Sequence, residues 1–307
     1  MTFLTLFSAP KPFTDPHIAI IQRNAIRSWT LLPEVEVLLM GEEAGLAETA
    51  REFGVTHLPH VTRSPNGLPL VSSMLELARQ VSHAGLLCLI NTDMLLMPDF
   101  VAAAEACKSS YPQRPFVLLS QRWDLDVTHP IEFSPGWQER LRERVKQEGR
   151  LHKPAGSDFF LFPSNGYLHV PDFVIGRAGW DNWMIYHARQ AGWPVIDGTP
   201  SLMIVHQNHD YRHLPGGRSH HTTSETNENI RLAGGQANIR YTILDSTHQL
   251  LDGRLVRPKM TRARFLRRLE LLLRKMFFFL PENLVENIAR PQRWEKRFKR
   301  LLRSLTK

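Results

Sequence analysis

The chain has 307 residues, of which 42% are hydrophobic and 22% are charged, proportions that are ordinary for a globular protein. This length suits one large α/β domain or two small ones, and the sequence contains no run of about 20 apolar residues that would span a bilayer. The charge is uneven: residues 254–307 carry 17 Lys and Arg against 4 Asp and Glu, whereas residues 1–253 carry 21 against 26. The mildly acidic body argues against nucleic-acid binding, and the basic C-terminal segment predicts contact with an anionic surface.

The first 120 residues predict alternating strands and helices. Short apolar runs typical of buried strands occupy residues 3–7, 35–40, 54–58, 86–90 and 116–120. Apolar residues at helical spacing occupy residues 18–29, 44–53, 71–82 and 100–108. Strands separated by helices of this length predict an α/β fold with a doubly wound, mixed or mostly parallel sheet flanked by helices.

The pattern is less regular after residue 120. A polar helix is expected at 135–148, a helix at 182–191, and short strands at 159–162, 195–196 and 202–205. Residues 206–235 are rich in His, Asn, Gly, Thr and Ser and have little apolar periodicity, so we interpret them as a long functional loop. Within that loop, His220 and His221 are expected to belong to a lid over a bound ligand.

Residues 251–307 are predicted to form a basic amphipathic helical tail after a domain of residues 1–250. Arginines and lysines flank apolar residues at helical spacing, namely Phe265, Leu266, Leu269, Leu272 and Leu273. Bulky apolar residues at 276–280 and a second basic amphipathic segment at 294–305 follow. A cationic helix too short to span a bilayer is typical of the membrane interface, so we expect an anionic membrane surface as a partner. The alternative is that its apolar face packs on the domain.

Two features bear on the cellular compartment. Cys88 and Cys107 lie in apolar segments and are expected to be free, buried thiols, which suits a reducing cytoplasm. Residues 1–12 lack the basic start and the apolar length of a signal peptide. Together with the tail, these features predict a cytoplasmic protein that is peripheral on the cytoplasmic face of the inner membrane.

The most informative local motif is Asn91-Thr92-Asp93, which directly follows the apolar run 86–90. The carboxyl end of a buried strand is where open α/β sheets bind their ligands. The Asp93 carboxylate suits Mg²⁺ or Mn²⁺, and Thr92 is small enough for a ribose to approach closely. The alternative is that Asp93 only stabilises the turn that follows the strand.

In this context the chain resembles the GT-A-type glycosyltransferases, in particular bacterial, family-2-like members. The resemblance covers about residues 1–210 and includes Ser8-Ala9-Pro10 after the first strand, where the family binds the base and ribose of its nucleotide. The family's metal motif is Asp-any-Asp, so Asn91 replaces the first acid and Asp93 remains as the direct ligand. The resemblance implies a nucleotide-sugar donor bound with Mn²⁺ or Mg²⁺.

The resemblance also implies roles for two residues late in the domain. A histidine completes the metal shell in several members, and His206 matches it because it directly follows an apolar strand. An acidic residue at a helix start acts as general base on the acceptor hydroxyl in inverting members, and Asp181 matches that position. The alternative for Asp181 is a purely structural role as N-cap of the helix at 182–191.

Other polar residues extend the list of candidates. Asp158, just before the strand at 159–162, could hold sugar hydroxyls or serve as the base in place of Asp181. Arg122 follows the strand at 116–120 and could reach a phosphate, and Asp124 or Asp126 could contact the donor or the acceptor. His206 could instead form a zinc site with His209 and Asp210.

These observations predict a metal-dependent glycosyltransferase that uses a UDP-, GDP- or dTDP-linked sugar and a glycan or lipid-linked acceptor, in polysaccharide biosynthesis. The sequence lacks the Gly-x-Gly-x-x-Gly of nicotinamide enzymes, the P-loop of kinases and the Gly-x-Ser-x-Gly of serine hydrolases. Two alternatives stay open. One is a sugar nucleotidyltransferase, although residues 8–12 are not rich in Gly, and the other is a non-catalytic, membrane-docked sugar-binding or scaffold protein.

Overall fold

The computed structural model of the protein describes residues 2–209, 223–277, 279–280, 284–285 and 289. The chain divides into two compact units, residues 1–257 and 258–307. The domain boundary between residues 250 and 251 stays a prediction, and the sheet of the first unit continues to Val256. The predicted lid residues His220 and His221, Asp210 of the zinc alternative, and the segment 294–305 lie outside the described residues.

Unit 1 alternates strands and helices over most of its length, as predicted. Its helices are α1 Pro16–Thr30, α2 Leu46–Phe53, α3 Val71–Val81, α4 Asp99–Ser110, α5 Trp137–Glu148, α6 Trp180–Gln190 and α7 Ser224–Leu232. Its strands are β1 Leu4–Ser8, β2 Val35–Met40, β3 Thr56–Leu58, β4 Leu86–Ile90, β5 Met94–Leu95, β6 Val117–Leu119, β7 Arg122–Leu125, β8 Arg150–Leu151, β9 Phe159–Pro163, β10 Val195–Asp197, β11 Ile204–Gln207, β12 His248–Leu251 and β13 Arg254–Val256.

Nine strands form a central sheet in the order β13-β12-β10-β6-β9-β4-β1-β2-β3. Most neighbouring pairs are parallel, and the antiparallel pairs involve β9, between β4 and β6, and β13 at one edge. This confirms the predicted mixed, mostly parallel sheet. The strand order reverses at β1, since β2 and β3 lie on one side of β1 and β4 lies on the other.

Helices cover both faces of the central sheet because its inner strands are apolar on both faces. In β4, Leu86, Cys88 and Ile90 pack on the side of α1, α2 and α4, whereas Leu87 and Leu89 pack on the side of α3 and α6. Each fully buried leucine or isoleucine of such a strand contributes about 1.5–3 kcal/mol. Cys88 and Cys107 are both free and buried, as expected.

A second sheet, in the order β5-β11-β7-β8, lies beyond the carboxyl ends of β4 and β6. The helix α5, expected to be polar and exposed, turns one side toward this sheet and buries Trp137, Leu141 and Val145. Those side chains form a separate core with Leu125 of β7 and Val205 of β11. The second sheet therefore has its own apolar support, which fixes the polar side chains at its other surface.

Several elements differ from the sequence predictions. The prediction of a continuous loop over 206–235 is wrong at its end, because Ser224–Leu232 forms α7. This helix buries the polar residues Glu225, Thr226 and Asn229, so it has no apolar periodicity to detect. The short strands β7 and β8 were not predicted either, because β7 has only two apolar residues among its four and both residues of β8 are exposed.

In unit 2 the described helix is α8, Arg262–Met276. Thr261 begins it by accepting a hydrogen bond from the Arg264 backbone N–H. The helix buries Arg264, Arg267 and Glu270, while its exposed large apolar side chains are Phe265, Leu272 and Met276. Among the described residues, no helix has both the length and the hydrophobicity required to cross a membrane.

Candidate active site

The loops predicted to line a nucleotide crevice lie where the strand order of the central sheet reverses. β1 and β4 are neighbours and end together, so Ser8 lies beside the first residues after β4. The buried Ser8 hydroxyl donates to the Ile90 carbonyl at 2.5 Å and is 2.6 Å from Thr92 Oγ1. Such a switch point is the place where open α/β sheets bind ligands. The structure therefore brings together the two loops that the sequence assigned to the nucleotide.

A cluster of one aspartate and two histidines lies next to this crevice. Pairing of β11 with β5 places His206 opposite Met94, and the Gln207 backbone N–H donates to the Asp93 carbonyl at 3.1 Å. The Asp93 carboxylate oxygen Oδ2 is 3.1 Å from His209 Nε2 and 3.7 Å from His206 Nε2. One ligand atom from each of the three residues lies within 4.8 Å of the others.

The cluster has the electrostatic properties of a cation site. Burial alone would raise the pKa of Asp93, but His206, His209 and Lys11 oppose it, and the net effect is a pKa well below its usual value. Among the described residues, no hydrogen-bond partner reaches the buried oxygen Oδ1 of Asp93. A buried anionic oxygen without a partner is costly unless a cation or a donor reaches it. The residues present therefore fit a divalent ion.

Lys11 places a resident ammonium group at the same cluster. Its Nζ is 3.2 Å from His209 Nε2. Burial lowers the pKa of Lys11, and the Asp93 carboxylate raises it, with a net lowering. The backbone of Lys11 is fixed to α1, because the Gln22 side chain accepts from its N–H at 2.6 Å and donates to its carbonyl at 2.9 Å.

Asp124 contacts His206 from the opposite side. His206 lies opposite Asp124 in the parallel pairing of β11 with β7, and its Nδ1 is 3.2 Å from Asp124 Oδ1. The other carboxylate oxygen of Asp124 is 2.7 Å from His152 Nδ1. Burial would lower the pKa of His206, but the carboxylates of Asp93 and Asp124 raise it, and the net pKa is above its ordinary value.

Arg122 connects this histidine network to Asp158. Its guanidinium donates to Asp124 Oδ1 at 2.9 Å and to Asp158 Oδ1 at 2.5 Å. Asn91 also donates its side-chain amide to Asp158 Oδ1, at 3.0 Å. The residue that replaces the first acid of the family motif therefore holds another carboxylate in the site. Arg122 is paired with carboxylates here, whereas the sequence assigned it to a phosphate.

Asp181 lies in the first turn of α6, which begins at Trp180 after Gly179. Gly179 has a φ of 110°, a conformation that favours glycine, and it rather than Asp181 is the N-cap. Burial raises the pKa of Asp181, backbone N–H groups of the turn lower it, and the Asp158 carboxylate adds to the rise. The net pKa is raised, which is the property expected of a carboxylate base near a second acid.

The structure thus brings most predicted residues into one region. Ser8 and Thr92 join the two strand ends, Asp93 and His206 share the cluster, and hydrogen bonds or ion pairs connect Asn91, Arg122 and Asp158 to one another. Ala9 packs against the core and Pro10 is buried in the same loop. The catalytic, cofactor and metal roles assigned to these residues stay predictions.

Sequence reasoning missed two members of the site. His209 was considered only with Asp210 in the zinc alternative, whereas its partner in the structure is Asp93. Lys11 was not selected, although it directly follows the predicted nucleotide loop at 8–10. The spacing of His206 and His209 was the available signal for the first. No sequence pattern pointed to the second.

Solved structures similar to this chain include GT-A-type glycosyltransferases. Glucosyl-3-phosphoglycerate synthase from Mycobacterium tuberculosis, solved with Mg²⁺ and uridine diphosphate, is 14% identical over 84% of this chain and 87% of its own, with a TM-score of 0.46. The mannosyltransferase PcManGT from Pyrobaculum calidifontis, solved with GDP-Man and Mn²⁺, is 12% identical over 66% of this chain and 56% of its own, with a TM-score of 0.42. No protein-family model matches the chain, and no curated protein sequence does.

Proposed function

We propose that the protein is a metal-dependent glycosyltransferase that moves a sugar from a nucleotide-diphosphate donor to a glycan or lipid-linked acceptor. The observation that carries this proposal is the cluster of Asp93, His206 and His209, in which a buried carboxylate oxygen has no hydrogen-bond partner within the described part of the chain. The cluster lies beside the switch point of the sheet, where α/β folds bind nucleotides. A cation site next to a nucleotide crevice is what transfer from a nucleoside diphosphate requires.

Two groups of residues would bind the ion and the nucleotide. Asp93, His206 and His209 would hold the ion, which neutralises the diphosphate as it leaves. Ser8, together with Ala9, Pro10 and Thr92, lines the nucleoside side of the crevice.

Two carboxylates act on the sugars. Asp158, held by Asn91 and Arg122, accepts hydrogen bonds from sugar hydroxyls. Asp181 takes the proton from the acceptor hydroxyl as that oxygen attacks the anomeric carbon. The raised pKa of Asp181 supports this role, since a more basic carboxylate is a better proton acceptor.

The donor set bears on the choice of ion. Mg²⁺ prefers oxygen ligands, whereas imidazole nitrogen is better suited to transition metals. With two imidazoles and one carboxylate, we expect Mn²⁺ to bind more tightly than Mg²⁺. We further assign the donor as a UDP-, GDP- or dTDP-linked sugar.

The location is part of the same proposal. We place the enzyme in polysaccharide biosynthesis at the cytoplasmic face of the inner membrane, where α8 and the basic residues after it contact anionic lipid. The excess of 17 Lys and Arg over 4 Asp and Glu in residues 254–307 supports this placement. The free, buried state of both cysteines is compatible with a reducing compartment.

Calorimetric titration of UDP, GDP and dTDP, each with and without Mn²⁺, tests the proposal on wild type and Asp93→Asn. We expect one nucleotide to bind in a Mn²⁺-dependent manner and the substitution to weaken it by about 10-fold or more. Asp252→Asn is the matched control, because Asp252 is an exposed aspartate whose φ of 49° an asparagine adopts equally well.

The alternatives predict different results. Folded wild type that binds none of the nucleotides would favour the non-catalytic scaffold. Release of pyrophosphate from a nucleoside triphosphate and a sugar 1-phosphate would identify a nucleotidyltransferase. Nucleotide binding that Asp93→Asn leaves intact would remove Asp93 from the site.

A further inference from the structure

One nitrogen atom in the candidate metal centre has two incompatible neighbours. His209 Nε2 is 3.1 Å from the Asp93 carboxylate and 3.2 Å from the Lys11 ammonium. A neutral imidazole nitrogen either carries a proton and donates, or has a lone pair and accepts. It can therefore donate to Asp93 or accept from Lys11, but it cannot do both. A metal ion would need the same lone pair, so Lys11 and the ion require the same atom.

The position of Lys11 is built into the fold. The amide of the buried Gln22 forms two hydrogen bonds with the Lys11 backbone, one to its N–H and one to its carbonyl. Pro10 and Pro12 flank it, and a following proline restricts the preceding residue to an extended conformation. The backbone of Lys11 is thus held in place, and its ammonium group moves only by rotation of the side chain.

The charges around Lys11 indicate where its ammonium group would move. The Asp93 carboxylate attracts both the ammonium group and a divalent ion, and these two cations repel each other in a site with little water. The loop that carries Lys11 directly follows β1, on the nucleotide side of the crevice. A donor diphosphate bound to the ion would bring negative oxygens to the edge of this loop, and an ammonium group is a common partner of phosphate oxygens.

We propose that the Lys11 ammonium and a divalent ion bind the Asp93–His209 pair in alternation, and that the displaced ammonium then binds the diphosphate of the donor. This inference rests on the proposed function. Lys11 thereby opposes metal binding in the absence of nucleotide and favours it in the presence of nucleotide. Metal and donor binding become positively coupled through one side chain.

Manganese binding to Lys11→Met tests the alternation directly. The full-length protein is titrated with Mn²⁺ alone, and the free ion is followed by electron paramagnetic resonance. Without nucleotide, the variant should bind Mn²⁺ more tightly than wild type by about 5-fold or more. With saturating Mn²⁺, the nucleotide that wild type prefers among UDP, GDP and dTDP should bind the variant about 10-fold more weakly.

Two further variants make the result specific. Lys11→Gln removes the charge but keeps a polar side chain, so it should reproduce both changes if Lys11→Met folds poorly. Lys146→Met removes an exposed lysine from α5 and should change neither affinity. Binding of Mn²⁺ to Lys11→Met but not to wild type would also support the proposal, since the lysine would then exclude the ion completely.

Other results would overturn it. If wild type binds Mn²⁺ and both Lys11 variants bind it with equal or lower affinity, Lys11 does not compete, and the proposed function is unaffected. Tighter Mn²⁺ binding with unchanged nucleotide affinity would overturn the diphosphate contact alone. If neither wild type nor the variants bind Mn²⁺, the metal-dependent function itself fails and the alternation fails with it.

Discussion

Asp124 and Asp93 face the two ring nitrogens of His206. Nδ1 is 3.2 Å from Asp124, whereas Nε2 is 3.7 Å from Asp93. A carboxylate on the far nitrogen of a metal-binding histidine fixes the ring orientation and its tautomer. His152, 2.7 Å from the second oxygen of Asp124, fixes the carboxylate in turn. Asp124 is therefore a positioning residue, which the sequence placed only in possible contact with the donor or acceptor.

Asp124→Asn is expected to weaken Mn²⁺ binding by about 10- to 100-fold, because His206 loses its orienting charge. Titration of the protein with Mn²⁺ alone measures the effect independently of turnover. The Asp252→Asn variant should bind Mn²⁺ as wild type does. Equal affinities for Asp124→Asn and wild type would show that His206 needs no support from β7.

Asp181→Asn is expected to have opposite effects on activity and stability. Loss of a general base lowers the rate by about 100- to 10,000-fold. The pKa of Asp181 is higher in the native state than in the unfolded state, so the free energy of unfolding rises as the pH falls from the native pKa toward 3.8. At neutral pH the ionised carboxylate therefore destabilises the native state. Removing the charge should therefore raise the Tm at pH 7.

The pH profile gives the same prediction in kinetic form. In wild type, kcat/KM should fall as the pH drops through the raised pKa of Asp181, since only the ionised carboxylate accepts a proton. Asp181→Asn should have no such acid limb. A lower Tm for this variant at pH 7 would mean that the backbone N–H groups around Asp181 outweigh its burial.

At the scale of elements, α7 is attached to the body by buried polar groups. The Asn229 side chain accepts from the Val174 N–H at 2.9 Å and donates to the Val174 carbonyl at 3.1 Å. Glu225 binds Ser64 at 2.9 Å and Arg177 at 2.8 Å. These contacts fix α7 against Ser64 and the segment 174–177.

Asn229→Ala leaves the buried Val174 N–H and carbonyl without partners. An unpaired buried polar group costs about 1–3 kcal/mol, so the free energy of unfolding should fall by at least that amount. Urea unfolding curves of the variant and of wild type measure the difference. Asn227→Ala lies on the exposed side of the same helix and controls for helix propensity. Similar losses for both variants would contradict the attachment role.

Elements that bury apolar side chains were predicted from the sequence, and elements that bury polar side chains were not. The strands β1, β2 and β4 were predicted because their apolar runs cannot lie anywhere except in the core. The strand β7 and the helix α7 were missed because they bury charged or amide groups, whose partners are distant in sequence. Asp93 and His206 were assigned to one metal shell through the resemblance alone, because their contact depends on the pairing of β5 with β11, which no local pattern encodes.

At the scale of the whole molecule, residues 254–307 carry 17 Lys and Arg against 4 Asp and Glu, and the described part of this segment exposes several large apolar side chains. The helix α8 exposes Phe265 and Leu272 at 57% and 55%, with exposed basic residues nearby in sequence. Each lysine or arginine near an anionic membrane contributes about 1 kcal/mol, and inserted apolar side chains add to this. The proposed attachment to an anionic membrane would use both contributions.

The double variant Phe265→Ser, Leu272→Ser is expected to lose most of its sedimentation with vesicles of anionic phospholipid. Wild type should bind these vesicles, bind zwitterionic vesicles much less, and be released by salt, because the attraction is screened. Leu31→Ser, Leu251→Ser removes exposed leucines from unit 1 and should bind as wild type does. Equal sedimentation of the two double variants would place the contact outside α8.

The candidate metal centre joins parts of the chain that are far apart, since Asp93 and His209 are separated by 116 residues. Their contact requires β11 to be paired between β5 and β7. Because these strands are distant in sequence, we expect the contact to form late, after the folding transition state. Interactions that form after the folding transition state change the unfolding rate and leave the folding rate unaltered. Bound Mn²⁺ should therefore slow unfolding in urea-jump kinetics and leave refolding unchanged. The concentration of the metal ion would then determine the lifetime of the native state as well as the activity of the enzyme.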